Sequence, residues 1–155
     1  MASVANHGRD RPLGELLVRA GLIAPNDLMA ALATARAARR RLGEVLIEQE
    51  LVGERDLAMV VADQEDLEFV DLGKLDLDQQ AVDLLSERTA RRYAAIAFRT
   101  EGPAAIVAVA DPTDNEGLDA IVAEVPGGVH FVVATRSEVE AALTEAYGDA
   151  REPDW

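Results

Sequence analysis

The chain has 155 residues, with 29 acidic against 15 basic side chains and a net charge of −14. So acidic a molecule is repelled by another polyanion, which argues against general binding to DNA or RNA. There is no cysteine, which excludes disulfides, thiolate metal sites and thiol catalysis and suits a cytoplasmic protein.

No run of about 18 apolar residues is present, so direct membrane insertion is not expected. The N-terminus lacks the charged start and apolar stretch of a signal peptide. The charge is unevenly spread. Residues 1–41 carry seven arginines against three acids, or +4, and the rest carry eight basic and 26 acidic side chains, or −18. Arg36, Arg39, Arg40 and Arg41 crowd the end of the basic part, either as a local anion site or as a solvated face.

Residues 1–11 are polar and aperiodic and read as a flexible tail. Residues 12–65 read as all-helical. Leu13, Leu16 and Leu17 form a short apolar stripe that stops at Gly21, and Pro25 suits the first turn of the next helix, where its missing N–H is not needed. Leu28, Leu32 and Ala35 share one face of that second helix. The plan then repeats from Leu42 to Gln49 and from Glu54 to Gln64, giving two helical hairpins, each too small to bury its own stripe.

From Asp66 the periodicity changes. Phe69 to Leu72 reads as a short strand or extended arm, Asp78 as the cap of a helix through Leu85, and Ser86 as the cap of one through Arg92. Ala94 to Arg99 and Ala104 to Ala110 are strand-like, joined by a turn at Gly102-Pro103, so they should pair antiparallel. Thr113 with Glu116 and Ser137 with Glu140 have capping-box spacing, each before a helix. Val129 to Ala134 between them reads as a third strand, parallel to its neighbour if the intervening helix is a crossover. Residues 66–148 therefore form a small α/β unit, and residues 149–155 an acidic tail. The fold class expected is α+β, with tandem helical hairpins packed on this unit.

The first half is one sequence written twice. A shift of 29 carries Leu13-Gly14-Glu15 onto Leu42-Gly43-Glu44, Leu17 onto Leu46, Leu22 onto Leu51, Asp27-Leu28 onto Asp56-Leu57 and Ala33 onto Ala62. Duplicated elements can present paired surfaces to a single ligand or partner. Residues 12–35 and 41–64, separated by Arg36 to Arg40, resemble the tandem Arg-Leu-Gly motif of the MshEN-type N-terminal domain of type II secretion and type IV pilus assembly ATPases. Phe69-Val70-Asp71-Leu72, the run to Arg91-Arg92-Tyr93, Val107 to Asp114 and Ala146-Tyr147-Gly148 are similar to the second half of that domain.

The resemblance implies a regulatory and docking module. It implies partners in the secretion or pilus machinery, namely an inner-membrane platform protein or the ATPase, and in some members cyclic di-GMP as ligand. No cofactor is required. The ligand residues implied are Leu13, Gly14, Leu28 and Leu32 in the first copy and Arg41, Leu42, Gly43, Leu57, Val61 and Gln64 in the second, with Arg11 or Arg39 supplying missing contacts. An arginine can stack on a purine or fork onto guanine O6 and N7, and glutamine can bond a polar base edge. Proline at 12 and alanine at 35 replace the first copy's arginine and glutamine. Each lost charge-assisted bond weakens binding by about 1.5–3 kcal/mol. The alternative reading is that the Leu-Gly repeats build a scaffold, with the leucines in the core and the glycines allowing close helix contact.

Other chemistry is thin. A phosphate loop would need Gly-x4-Gly-Lys-Ser/Thr. The single lysine, Lys74, has no glycine at position 68 and no hydroxyl after it, so ATP hydrolysis is not expected. The chain is then either a free-standing regulatory domain or a piece of a longer ATPase.

Overall fold

A computed structural model of the protein describes residues 13–148. The two tails expected at 1–11 and 149–155, together with Pro12, lie outside the described residues. The chain divides into two compact units, one ending at Gln64 and the other starting at Glu65.

The first unit holds α1 (residues 13–19), α2 (Pro25–Ala38), α3 (Leu42–Glu48) and α4 (Glu54–Gln64). Its duplication extends to single hydrogen bonds. After α1, the Leu22 N–H donates to the Leu17 carbonyl at 2.9 Å and the Gly21 N–H to Val18 at 3.0 Å; after α3, the Leu51 N–H donates to Leu46 at 2.9 Å and the Glu50 N–H to Ile47 at 3.0 Å. Both ends are the same left-handed stop, which satisfies the last carbonyls of the helix. α2 and α4 also open alike, with Leu28 N–H bonded to Ala24 and Leu57 N–H to Gly53, both at 3.0 Å. The copies diverge at the far end. α2 runs 14 residues and α4 only 11.

Neither hairpin buries its own stripe. Leu13, Leu17, Ile23, Leu28, Ala31 and Ala35 from the first copy share one core with Leu42, Val45, Leu46, Val52 and Leu57 from the second, and α2 packs on α3. Burial of apolar area is the main force holding such short helices together.

The second unit holds a 3-10 turn (Leu72–Lys74), α5 (Gln79–Val82), α6 (Glu87–Tyr93), β1 (Ala95–Glu101), β2 (Ala104–Val109), α7 (Asn115–Glu124), β3 (Val129–Val133) and α8 (Arg136–Tyr147). The sheet order is β1-β2-β3. β1 pairs antiparallel with β2, and β2 parallel with β3, so α7 is the crossover. The fold is α+β, as the periodicities indicate. The arm at Phe69 makes a single parallel bridge to Val133. Its neighbours close a small ladder, with the Val70 N–H donating to Val133 at 2.9 Å and the Val133 N–H to Glu68 at 2.8 Å.

A bulge falls between Ala97 and Arg99 of β1. There the Phe98 carbonyl accepts the Asp78 N–H at 3.0 Å, which ties the start of α5 to the strand. Asp78 and Ser86 cap α5 and α6 as expected, accepting from Gln80 and Thr89.

Two other caps differ from the sequence reading. Asp114, not Thr113, caps α7 by accepting the Gly117 N–H at 3.1 Å. Thr113 is instead turned back onto Asp111, whose Oδ1 accepts both its N–H at 3.0 Å and its hydroxyl at 2.6 Å. Thr135, not Ser137, caps α8 by accepting from Glu138 N–H at 3.2 Å. The cap is thus Thr135, two residues earlier than expected. β3 ends at Val133, and Thr135 is buried beside it, so the helix begins as soon as the strand stops.

Polar contacts fasten the helices of this unit. Glu124, the last residue of α7, accepts the Ser86 N–H at 2.9 Å and the Thr89 hydroxyl. These bonds hold its carboxyl below the usual glutamate range, the Thr89 bond having the largest effect. The Tyr147 hydroxyl lies 3.3 Å from the Val82 carbonyl and 3.1 Å from the Leu85 carbonyl and donates to them. Burial is the first cause pushing that phenol above its ordinary value, with Glu87 next.

Candidate functional site

The residues implied as ligand contacts fall into four groups. Leu13, Leu28, Leu42 and Leu57 belong to the shared core. Leu28 and Leu57, one repeat apart, have the same 8% exposure. Leu32 and Val61, also one repeat apart, are half-buried and pack against that core. Gly14 and Gly43 each lie under the leucine of the following helix. A Cβ on Gly14 would stand 2.6 Å from Leu28 Cδ1, and one on Gly43 would stand 3.1 Å from Leu57 Cδ2. The glycines thus have a packing reason in both copies, tighter in the first, because an added Cβ would press on the leucine above it.

The polar positions are less alike. Arg41 is half-buried and holds the N-cap position of α3 in an extended conformation, φ −77° and ψ 146°. Gln64 is half-buried at the last residue of α4. In the first copy, Pro12 and Arg11 lie outside the described residues. Ala35 is 1% exposed within the core. Ala35, one repeat before Gln64, is therefore a packing position.

Between the copies stands a basic turn. Arg39 ends α2 in the left-handed conformation, φ 57° and ψ 42°, and is exposed, as is Arg36. Neither Arg36 nor Arg40 belongs to the ligand set implied by the sequence, and of these two Arg40 makes the described ion pairs. Its Nη1 donates to Glu48 Oε1 at 2.6 Å, and its Nε lies 3.6 Å from Glu44 Oε1. The bond to Glu48 raises its pKa further. The acids four and eight residues after Arg40 were the available signal, since such spacing puts them along one side of a helix.

Elsewhere, His130 is exposed on β3, and no metal-holding group of His, Cys, Asp or Glu occurs among the described residues. No helix of the described residues is long and apolar enough to cross a membrane.

A helical hairpin present in two copies, followed by a three-stranded α/β unit, defines a class of α+β domains. The MshEN domain profile matches residues 65–153, more than half of the 155 residues, and the chain belongs to the MshEN domain family.

Among curated proteins, it is 34% identical to the type IV pilus assembly ATPase PilB of Thermus thermophilus over 72% of this chain. It is 25% identical to PilB of Myxococcus xanthus over 88% and 26% identical to bacteriophage adsorption protein B of Escherichia coli over 93%. It spans only 13%, 24% and 19% of those three proteins. Among solved structures, that of MshE with cdg (cyclic di-GMP) superposes with a TM-score of 0.79 at 32% identity, covering 87% of this chain and 98% of the other. The N-terminal domain of XpsE superposes with a TM-score of 0.71, covering 88% and 94%; at 24% identity that likeness speaks for the fold alone.

Proposed function

We propose that the chain is a non-catalytic regulatory and docking module of the type II secretion and type IV pilus ATPase kind. Its partner would be a cytoplasmic face of that machinery, either the inner-membrane platform protein or the ATPase itself. The observation that carries this reading is the duplicated first unit. Its hydrogen bonds repeat at a 29-residue interval, and apolar residues of both copies close on one shared core. The occurrence of similar sequences in pilus ATPases and in a protein named for bacteriophage adsorption fits a portable recognition unit better than a catalytic one.

A second reading is favoured by the likeness to MshE with cyclic di-GMP. Here the second copy holds one guanine through Arg41 and Gln64, and the first copy contributes little beyond apolar contact. Loss of two polar anchors would weaken such a site by about 3–6 kcal/mol relative to a symmetric one.

Calorimetric titration of the full chain with cyclic di-GMP tests this. Weak binding that Arg41→Ala abolishes and Pro12→Arg tightens tenfold or more is expected, tenfold being about 1.4 kcal/mol. No heat at about 50 µM ligand, equivalent to about −6 kcal/mol of binding, would leave the docking role alone. That role is tested by measuring affinity for the platform protein's cytoplasmic segment.

A further inference from the structure

We propose that Arg40 is a phosphate-contacting residue held in reserve by Glu48 and Glu44. The inference rests on the reading that this unit takes a phosphate-bearing ligand, and it adds a residue and a restraint that the repeat motif does not contain.

The geometry is direct. Arg39, Arg40 and Arg41 form the turn between α2 and α3, and Arg39 is exposed there. Arg40 is drawn along α3, with Nη1 2.6 Å from Glu48 and Nε 3.6 Å from Glu44. Both acids are more than half exposed on their side chains. An ion pair so open to water is weak and is easily exchanged. A guanidinium forks onto phosphate oxygens as well as onto a carboxylate, so an arriving phosphate would replace Glu48 without leaving any charge buried and alone.

The first copy lacks this restraint. The positions one repeat before Glu44 and Glu48 are Glu15 and Arg19. One acid is kept and the other is replaced by a base, so the two hairpins agree in backbone and differ in charge where Glu48 stands. Glu48 lowers the anion affinity of the second copy and makes it dependent on the charge the ligand brings. A neutral nucleoside would not displace it, whereas a phosphate would.

The test uses the full chain and two probes: inorganic pyrophosphate, followed through the arginine Nε–H resonances, and cyclic di-GMP, followed by calorimetry. Glu48→Gln should tighten pyrophosphate binding about two- to fivefold, the range that an exposed ion pair spans. The Glu44→Gln/Glu48→Gln pair should tighten it about tenfold. Arg40→Ala/Glu48→Gln should bind no better than Arg40→Ala. Unchanged affinity in Glu48→Gln, absence of pyrophosphate binding in every variant, or a gain that survives loss of Arg40 would each overturn the proposal. A gain for pyrophosphate with no cyclic di-GMP binding keeps Arg40 and removes the dinucleotide reading. Cyclic di-GMP binding that needs Arg41 but ignores Glu48 does the reverse. Circular dichroism of each variant checks that these surface changes leave the fold intact.

Discussion

Gly14 lies directly beneath Leu28, so close that a methyl group added to the glycine would stand 2.6 Å from Leu28 Cδ1. The same pair one repeat later, Gly43 and Leu57, leaves 3.1 Å. The two copies therefore answer the same substitution differently. Gly14→Ala forces a core leucine to move and should destabilise the first unit by about 1–2 kcal/mol, overpacking outweighing the gain in helix propensity. Gly43→Ala needs a shift of only a few tenths of an ångström and should fall within about 0.5 kcal/mol of wild type. Urea denaturation of both variants checks the contrast. Equal losses would mean that the glycines do not differ in packing.

The left-handed stop after α1 is Gly21, φ 77°, and the matching stop after α3 is Glu50, φ 59°. Only glycine adopts this conformation without a Cβ penalty. Glu50→Gly should therefore stabilise the protein by about 0.5–1 kcal/mol, and Gly21→Ala should destabilise it by about 1 kcal/mol. Opposite shifts in thermal midpoint are the expected readout.

Glu124 joins the end of α7 to the start of α6, and those bonds lower its pKa in the folded protein. A carboxyl with a lowered folded-state pKa stabilises the fold at pH above its unfolded value and loses that contribution as pH falls through the folded value. Stability measured across pH should accordingly decline below the ordinary glutamate value of 4.5. Glu124→Gln should remove part of that decline and destabilise the protein by about 1 kcal/mol near neutrality. An acid limb as steep in the variant as in wild type would refute this assignment.

Tyr147 fastens the end of α8 to the carbonyls of Val82 and Leu85. Tyr147→Phe leaves those acceptors without this donor and should destabilise the protein by about 0.5–1.5 kcal/mol. Because the phenol's pKa is raised when folded, its contribution is complete below the unfolded value and disappears as pH rises through the folded one. Wild type and variant should therefore converge in stability above pH 10, the ordinary tyrosine value.

How far the sequence reached depends on the range of the physics involved. The hairpins of the first unit were legible because the cause is local. Apolar spacing, Pro25 at a first turn and a 29-residue repeat act within one or two helical turns, and Glu54–Gln64 has the bounds the pattern implies. The strands and the Asp78 and Ser86 caps were legible for the same reason. The caps at Asp114 and Thr135 were not. Two hydroxyls or carboxylates stood within reach of each helix start, and the choice fell to how the preceding segment ended: β3 stopping at Val133 and Asp111 engaging Thr113.

For the candidate site, the primary sequence by itself established the duplication and the unequal polar residues at positions 12 and 41 and at 35 and 64. It left open whether the repeated Leu-Gly pairs serve a ligand or a core. Only the tertiary structure decided that Leu13, Leu28, Leu42, Leu57 and Ala35 lie in one shared core and that Arg40 is turned onto Glu48. The physical reason is that periodicity tells which residues share a helix face, while burial and ion pairing depend on what another helix brings to that face.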